Sequence, residues 1–350
     1  MLFPRFASSS HRALLHTAVC LFVIGICSSC DDDDPQTNTN TTPVYTGGYV
    51  TTLVEEAATY WKDQEEIRLG DGVNHSRVNT IFVQGSDVYA GGIEDIDAGR
   101  AEHLMPVYWK NGQKVILPVR DENPDASVTG IWVAGTDVHA IGDKGLYWKN
   151  DEVIINSPFA EFAALCAHGS DVYIVGSFSG QGTYWKNGQS TVLPGGDMAL
   201  DISIDGNDVY VLGLEFSNNG TVYKYWKNGQ EMTLGVALAY GDWATSIFAE
   251  NGDVYITGRA SANTPGTDGS IAKYWKNGTA IALTSDITKY PTATDITISG
   301  GDVYTAVSET PPQPGIQPVY SAAYYYKNQT PVRLSDPSYG AIATCIFVPR

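Results

Sequence analysis

Asp87-Val88-Tyr89-Ala90-Gly91-Gly92, followed after a variable stretch by Tyr108-Trp109-Lys110-Asn111-Gly112, is the passage whose two phrases decide the fold. The second phrase returns at Trp61, Trp109, Trp148, Trp185, Trp226, Trp275 and, with Tyr in place of Trp, at Tyr326; the intervals of 48, 39, 37, 41, 49 and 51 residues average about 44. A period of this length marks β-propeller blades, four-stranded sheets that bury their faces only by stacking on neighbours. A ring of such sheets shares its core, so the 350 residues need not divide into several domains.

Working outward from the Asp of the first phrase, each unit has an aliphatic first strand with Ile81, Ile131, Leu165, Ile202, Ile247 or Ile296 in register. A Gly-containing turn then leads to Asp87, Asp137, Asp171, Asp208, Asp253 or Asp302 and an alternating strand of period two. The Tyr-Trp-Lys strand comes third, and Asn-Gly, which accepts positive φ at both turn positions, closes a tight hairpin to a short fourth strand. The repeated Asp reads as a turn cap for backbone N–H groups. Six units are complete. Tyr49–Val54, Ala57–Trp61 and Glu65–Leu69 lack a first strand, and Ile342–Val348 is a first strand without the rest. The spacing therefore predicts an all-β, seven-bladed propeller of four-stranded antiparallel blades, with the N- and C-terminal strands closing one shared blade over residues 48–350. Closure removes the exposed edges that an open array presents to aggregation.

Residues present in every blade answer a need of every blade. The Trp of the third strand is expected to fill the gap between neighbouring sheets, since seven copies pointing around a ring cannot converge on one ligand. Function is expected where the copies differ. The uniform Gly-x-Asp and Lys-Asn-Gly turns share one face; the other carries second-to-third-strand connections that are long at 92–106, 213–222, 258–270 and 308–322 and short at 142–145 and 176–182.

Several residues on that side are candidate binding groups. Asp201 and Asp295 begin their first strands beside the channel among Thr80, Gly130, Ala164, Ser246 and Cys345. Two carboxylates supply too few oxygens for Ca²⁺ on their own. The segment 94–99 is Asp-rich but lacks the spacing of a calcium loop. His75 and His103, with Asp71 and Glu102 nearby, offer an acid and base pair. Trp243, Tyr240, Phe159, Phe178, Phe216, Tyr290 and Tyr339 offer an aromatic platform for a glycan or a protein. His139, standing where the first phrase has Tyr, and His168, in a uniform turn, read as repeat variation. No nucleophile elbow, zinc-helix motif or phosphate-cradling loop is present in the sequence, so no catalytic residue, cofactor or metal is assigned.

The N-terminal residues are written in another style. Arg5 and Arg12 precede an apolar run from Ala13 to Ile26, about 14 residues against the ~20 a transmembrane helix needs, which reads as a secretion signal over 1–29. Removing it leaves 19 basic against 39 acidic residues, a net charge near −20 that disfavours nucleic acid as a partner and suits a soluble, outward-facing monomer. Residues 30–47 are an acidic and polar stretch too poor in apolar groups to fold, a tether. Cys166 and Cys345 lie on first strands of separated blades and are not expected to pair.

Two resemblances extend this reading. Cys27-Ser28-Ser29-Cys30 resembles the lipobox of bacterial lipoproteins, with Cys27 where that family usually has Leu; the resemblance implies cleavage before Cys30 and lipidation, palmitate included, of its thiol. Asp31–Asp34 resembles the export signal of Bacteroidetes-type surface lipoproteins, and the Tyr-Trp-Lys-Asn-Gly and Asp-Val-Tyr phrases from Tyr49 to Val348 look like those of seven-bladed propellers of that type, mostly without an assigned activity. The resemblance implies attachment to the outer membrane through Cys30, exposed at the cell surface. Three functions stand open: a lipid-anchored module binding a glycan or protein, a glycan-active hydrolase or lyase using carboxylates and His on the variable face, and a structural subunit of an outer-membrane complex.

Overall fold

The computed structural model describes residues 42–350 apart from 53–54, 97–102, 120–124, 158, 219, 233–241, 262–268 and 313–319. Cys30, the apolar run, Tyr240 and the tether up to residue 41 lie outside the described residues; residues 42–47, read from sequence as the end of the tether, belong instead to the propeller, where Val44 and Tyr45 are buried. The described strands form seven four-stranded antiparallel sheets, a seven-bladed β-propeller. Blade 1 is Ser76–Gln84, Asp87–Asp95, Leu104–Lys110 and Gln113–Ile116; the inner strands of blades 2 to 6 are Val128–Ala134, Ala160–His168, Met198–Asp205, Trp243–Glu250 and Thr292–Ser299.

Blade 7 unites the two ends of the described chain. Gly340–Phe347 is its inner strand and pairs with Tyr45–Thr51, from Tyr45↔Phe347 to Thr51↔Gly340. Glu56–Lys62 and Glu65–Arg68 complete it. The second strand starts earlier than the alternation from Tyr49 indicates, because Val44 N–H donates to Asp63 Oδ1 at 3.0 Å and Tyr45 takes the slot that the Tyr of the first phrase fills elsewhere. The segment 213–222, read from sequence as a long loop, is mostly ladder: pairing runs out to Ser217↔Gly220.

The two repeated phrases prove to be one device. In blade 1 the Asn111 carboxamide accepts Val88 N–H at 2.9 Å and donates to Asp87 at 2.8 Å, while Lys110 Nζ reaches Asp87 at 3.1 Å and stands 5.1 Å over the Tyr89 ring. The same clamp recurs in blade 3 through Asn187, Asp171, Lys186 and Tyr173. The Asp of the phrase thus accepts from the Lys and Asn side chains, and it is Asn that satisfies the backbone, a correction to the cap expected of Asp. Asn111 at φ 49° and Gly112 at φ 80° make the tight turn that brings these groups together.

Trp61, Trp109, Trp148 and Trp226 are fully buried between blades, as their repetition requires. Each inner strand also carries one bulged residue at the same depth: Asn79, Thr129, Ala163, Leu200, Thr245, Thr294 and Thr344. A bulge bends its strand and sharpens the local twist. This explains the Gly that ends the first phrase, for a Cβ on Gly92, Gly176 or Gly258 would stand 1.8–1.9 Å from a carbonyl oxygen of the bulged strand. Thr129, Thr245, Thr294 and Thr344 donate from their hydroxyls to a carbonyl of the next blade at 2.7–3.1 Å, and Asn79 does so at 3.0 Å through its amide. Ala163 and Leu200 have no group to do so, so blades 3 to 5 are joined in another way.

Candidate functional site

Between blades 4 and 5 that other way involves one of the predicted carboxylates. Asp201 lies one residue past the bulge of blade 4; its Oδ1 accepts Ile202 N–H at 2.8 Å, and Oδ2 accepts Ile247 N–H of blade 5 at 2.8 Å. Asp295 repeats the arrangement two blades on, holding Ile296 N–H and, across the junction to blade 7, Ile346 N–H, both at 2.8 Å. These amides belong to the innermost strands, which have no strand beyond them to pair with, and buried amides require acceptors. Ser246 stands between, its Oγ 2.6 Å from Asp201 and 2.8 Å from Asp295.

A serine hydroxyl carries one proton. With both carboxyls ionised, one of the two contacts would oppose oxygen lone pairs; with one protonated, a continuous chain runs from carboxylic acid to hydroxyl to carboxylate. Burial, and then the neighbouring Asp295, push the Asp201 carboxyl up to about 7, and burial raises Asp295 as well. Burial also pushes up the thiols of Cys166 and Cys345, which are free. The cavity that contains this group, about 500 Å³, is the central channel, and it runs from the bulge level past Phe248 and Thr297 toward His168, Gly169 and Arg350 on the side of the uniform turns. Among the described residues no three His, Cys, Asp or Glu side chains gather as metal ligands.

The two predicted histidines flank Asp95 on blade 1. Asp95 N–H donates to the His75 carbonyl at 2.8 Å and its carboxylate accepts His103 N–H at 3.3 Å. His75 Nδ1 lies 3.7 Å from both Glu55 and Glu56, and Glu56 is engaged by Arg77. The structure therefore gathers His75 and His103 at one corner of the variable face, away from the channel carboxylates.

The aromatic candidates divide. Tyr339 bonds Glu66 and lies under Arg68 at 5.5 Å, an anchor of the loop entering blade 7. Phe159, Phe216 and Trp243 are 69%, 64% and 51% exposed. Phe159 and Phe216 border a groove of about 530 Å³ between blades 3 and 4 on the variable face, with Glu161, Asp197 and Met198 along it. Asp197 Oδ2 accepts Phe216 N–H at 2.6 Å, which fixes the end of the hairpin that carries the ring. Trp243 holds on blade 5 the place of Met198 on blade 4, and Arg259 covers its ring at 4.3 Å. Phe159 and Phe216 stood among many aromatics in the sequence; only burial sorts them. Glu161 and Asp197 carried no sequence signal, as acids are common in loops.

Fold and site together define a propeller scaffold with a polar, proton-sharing channel and an aromatic-edged groove on its variable face. No family model and no curated protein matches the chain. Solved structures similar to it include the computationally designed Ika8 protein, 14% identical over 87% of this chain and 91% of that one with a TM-score of 0.47. Sucrose-6-phosphate hydrolase from Lactobacillus gasseri is 10% identical over 86% of this chain and 85% of that one, with a TM-score of 0.34. At such values the likeness says nothing of ligand or reaction, and the blade count rests on the strand pairing itself.

Proposed function

We propose that this protein is a lipid-anchored binding module at the outer-membrane surface, which holds a polysaccharide in the groove between blades 3 and 4. The observation that carries the reading is the groove, where Phe159 and Phe216 stand exposed over Glu161 and Asp197. Large apolar side chains left in water forfeit roughly 25 cal/mol per Å², and a cluster of them on one face marks a surface that something covers. Sugar rings present C–H faces to aromatics and hydroxyls to carboxylates, so this pairing of groups suits a glycan. Trp243, one blade along, would extend the track for a longer chain. The occupied oxygens of Asp201 and Asp295 support binding over catalysis, since the amides they hold would be orphaned by a change of role.

Cys30, set between the apolar run and Asp31–Asp34, supports the anchor. Cells fed an alkyne-bearing palmitate should label the wild-type chain and not Cys30→Ser; equal labelling of both would remove the anchor from the reading. For the ligand, the protein is applied to an array of host, plant and bacterial polysaccharides. Binding is expected, falling at least about tenfold in a Phe159→Ser, Phe216→Ser variant, in line with ~1 kcal/mol or more per aromatic contact. A blank array, or binding that ignores both substitutions, would refute the glycan reading; a protein captured through the same two rings would replace the glycan by a protein partner.

A further inference from the structure

The interface between blades 2 and 3 departs from the other interfaces. In blades 1, 3, 5, 6 and 7 three side chains of one blade close the gap to the next: the Tyr of the first phrase, the Tyr of the second, and a Leu just past the fourth strand. They are Tyr89, Tyr108 and Leu117 in blade 1 and Tyr173, Tyr184 and Leu193 in blade 3. Each Leu is placed by the same backbone bond, Leu117 N–H to Pro106 O at 2.9 Å and Leu193 N–H to Gly182 O at 2.8 Å. In blade 2 the equivalent bond, Ser157 N–H to Gly145 O at 3.0 Å, places a serine there, and the first Tyr is His139. Two large fillers have been replaced by smaller polar residues at one interface.

The consequence is a cleft of about 620 Å³, against about 240 Å³ for the crevice between blades 4 and 5, where Tyr210 and Tyr225 are in place. Ile154, Phe162, Ile174, Phe178 and Trp185 give it an apolar wall. Trp185 is only partly buried, unlike Trp148 and Trp226 at 1% and 0% exposure on the blades to either side. Phe162 and Phe178 meet it edge-on at 5.2 and 6.5 Å.

The polar end of the cleft lacks partners in two respects. His139 is 95% buried at 5% exposure; its Nδ1 is 2.7 Å from the Tyr147 hydroxyl, and its Nε2 has no partner among the described residues. Burial lowers its pKa, so the imidazole is neutral near pH 7. Lys149 is neutralised by Asp137 at 2.8 Å, but where the six other lysines of the clamp stand 5.1–6.0 Å over a Tyr ring, it has lost that ring to His139.

We propose that this cleft is a binding site for a small, uncharged phenol-type molecule bearing a branched aliphatic group. Its ring restores the cation–π contact to Lys149, and its aliphatic branch fills the space that Leu fills elsewhere. Its hydroxyl can both donate and accept, so it pairs with His139 Nε2 in either tautomer. Among the described residues lining the cleft, the charged side chains Asp137 and Lys149 pair with each other, so none awaits a counter-charge. The volume lies in the ordinary range for small-molecule sites, about 300–1,000 Å³. This site does not depend on the groove proposed above, which lies between the next pair of blades.

The test uses 4-isobutylphenol as the probe and the melting temperature as the readout. The wild-type protein is expected to melt several degrees higher at saturating probe, by mass action on the folded state. Ser157→Leu with His139→Tyr, which restores the residues of the other blades, should melt higher without probe and show no shift with it. Ser157→Leu alone should weaken binding about tenfold, which keeps the test alive if the double variant fails to fold. The Phe159→Ser, Phe216→Ser variant should keep the full shift, so failure of the glycan reading leaves this one standing. No shift in the wild type, or an equal shift in the refilled proteins, would overturn the proposal.

Discussion

Ser246 has one proton to give and two carboxyl oxygens within 2.8 Å, and that mismatch sets the chemistry of the channel. Asp201 has a folded-state value near 7 against 3.8 when unfolded, so the folded protein binds the proton more tightly. A raised carboxyl of this kind contributes stability that is complete below about 3.8 and lost as pH rises through about 7. The exposed clamp carboxylates, such as Asp171, held low by Lys186 and then Asn187, have the opposite sign and lose their contribution only below the usual carboxylate range, outside this window. His139, lowered by burial, works in the other direction within this range but does so in both proteins, so the melting temperature of the wild type should fall relative to that of Asp201→Asn, which has no carboxyl to titrate there, from pH 4.5 to pH 8. Thermal unfolding across that range checks it; parallel slopes for the two proteins would contradict the shared proton. At this scale the sequence was legible only in part. It placed Asp201 and Asp295 beside the channel, but their meeting through Ser246 depends on bulges that shift each strand by one residue, which a period-two pattern does not encode.

At the scale of the element, the repeated phrase was legible because it serves a local need. Lys, Asn and Asp lie close in the folded hairpin although 20 or more residues separate them in some blades, and their coupling shows in sequence as co-occurrence alone. What repetition hides is inequality among equivalent strands. All the radial Trp residues look alike in the sequence, yet Trp148 is sealed by Leu117 and bonds Pro118 O at 2.8 Å, while Trp185 faces the cleft left by Ser157. Trp148→Ala is expected to cost ~3–5 kcal/mol and Trp185→Ala about half of that, because less of its surface leaves water on folding. Denaturant titration of both variants measures the difference; equal losses would show that the interface between blades 2 and 3 is as well filled as the rest. The departures at His139 and Ser157 were readable as exceptions, but only the pairing register shows that they fall on the same gap.

For the whole molecule, closure was the most legible feature. Fragments at the two ends, each lacking what the other has, could make a complete blade only by pairing, and Tyr45–Thr51 lies against Gly340–Phe347. Closure fixes seven equivalent positions and divides the ring into a face of uniform turns and a face of individual ones. The groove proposed to hold a polysaccharide lies on the second, between blades 3 and 4. Hydrogen exchange with and without a polysaccharide found on the array tests this most directly. Protection is expected at residues 159–161, 177–180, 197–198 and 214–217, with the Lys-Asn-Gly turns unchanged. Protection centred on those turns, or confined to the His75 and His103 corner of blade 1, would contradict it.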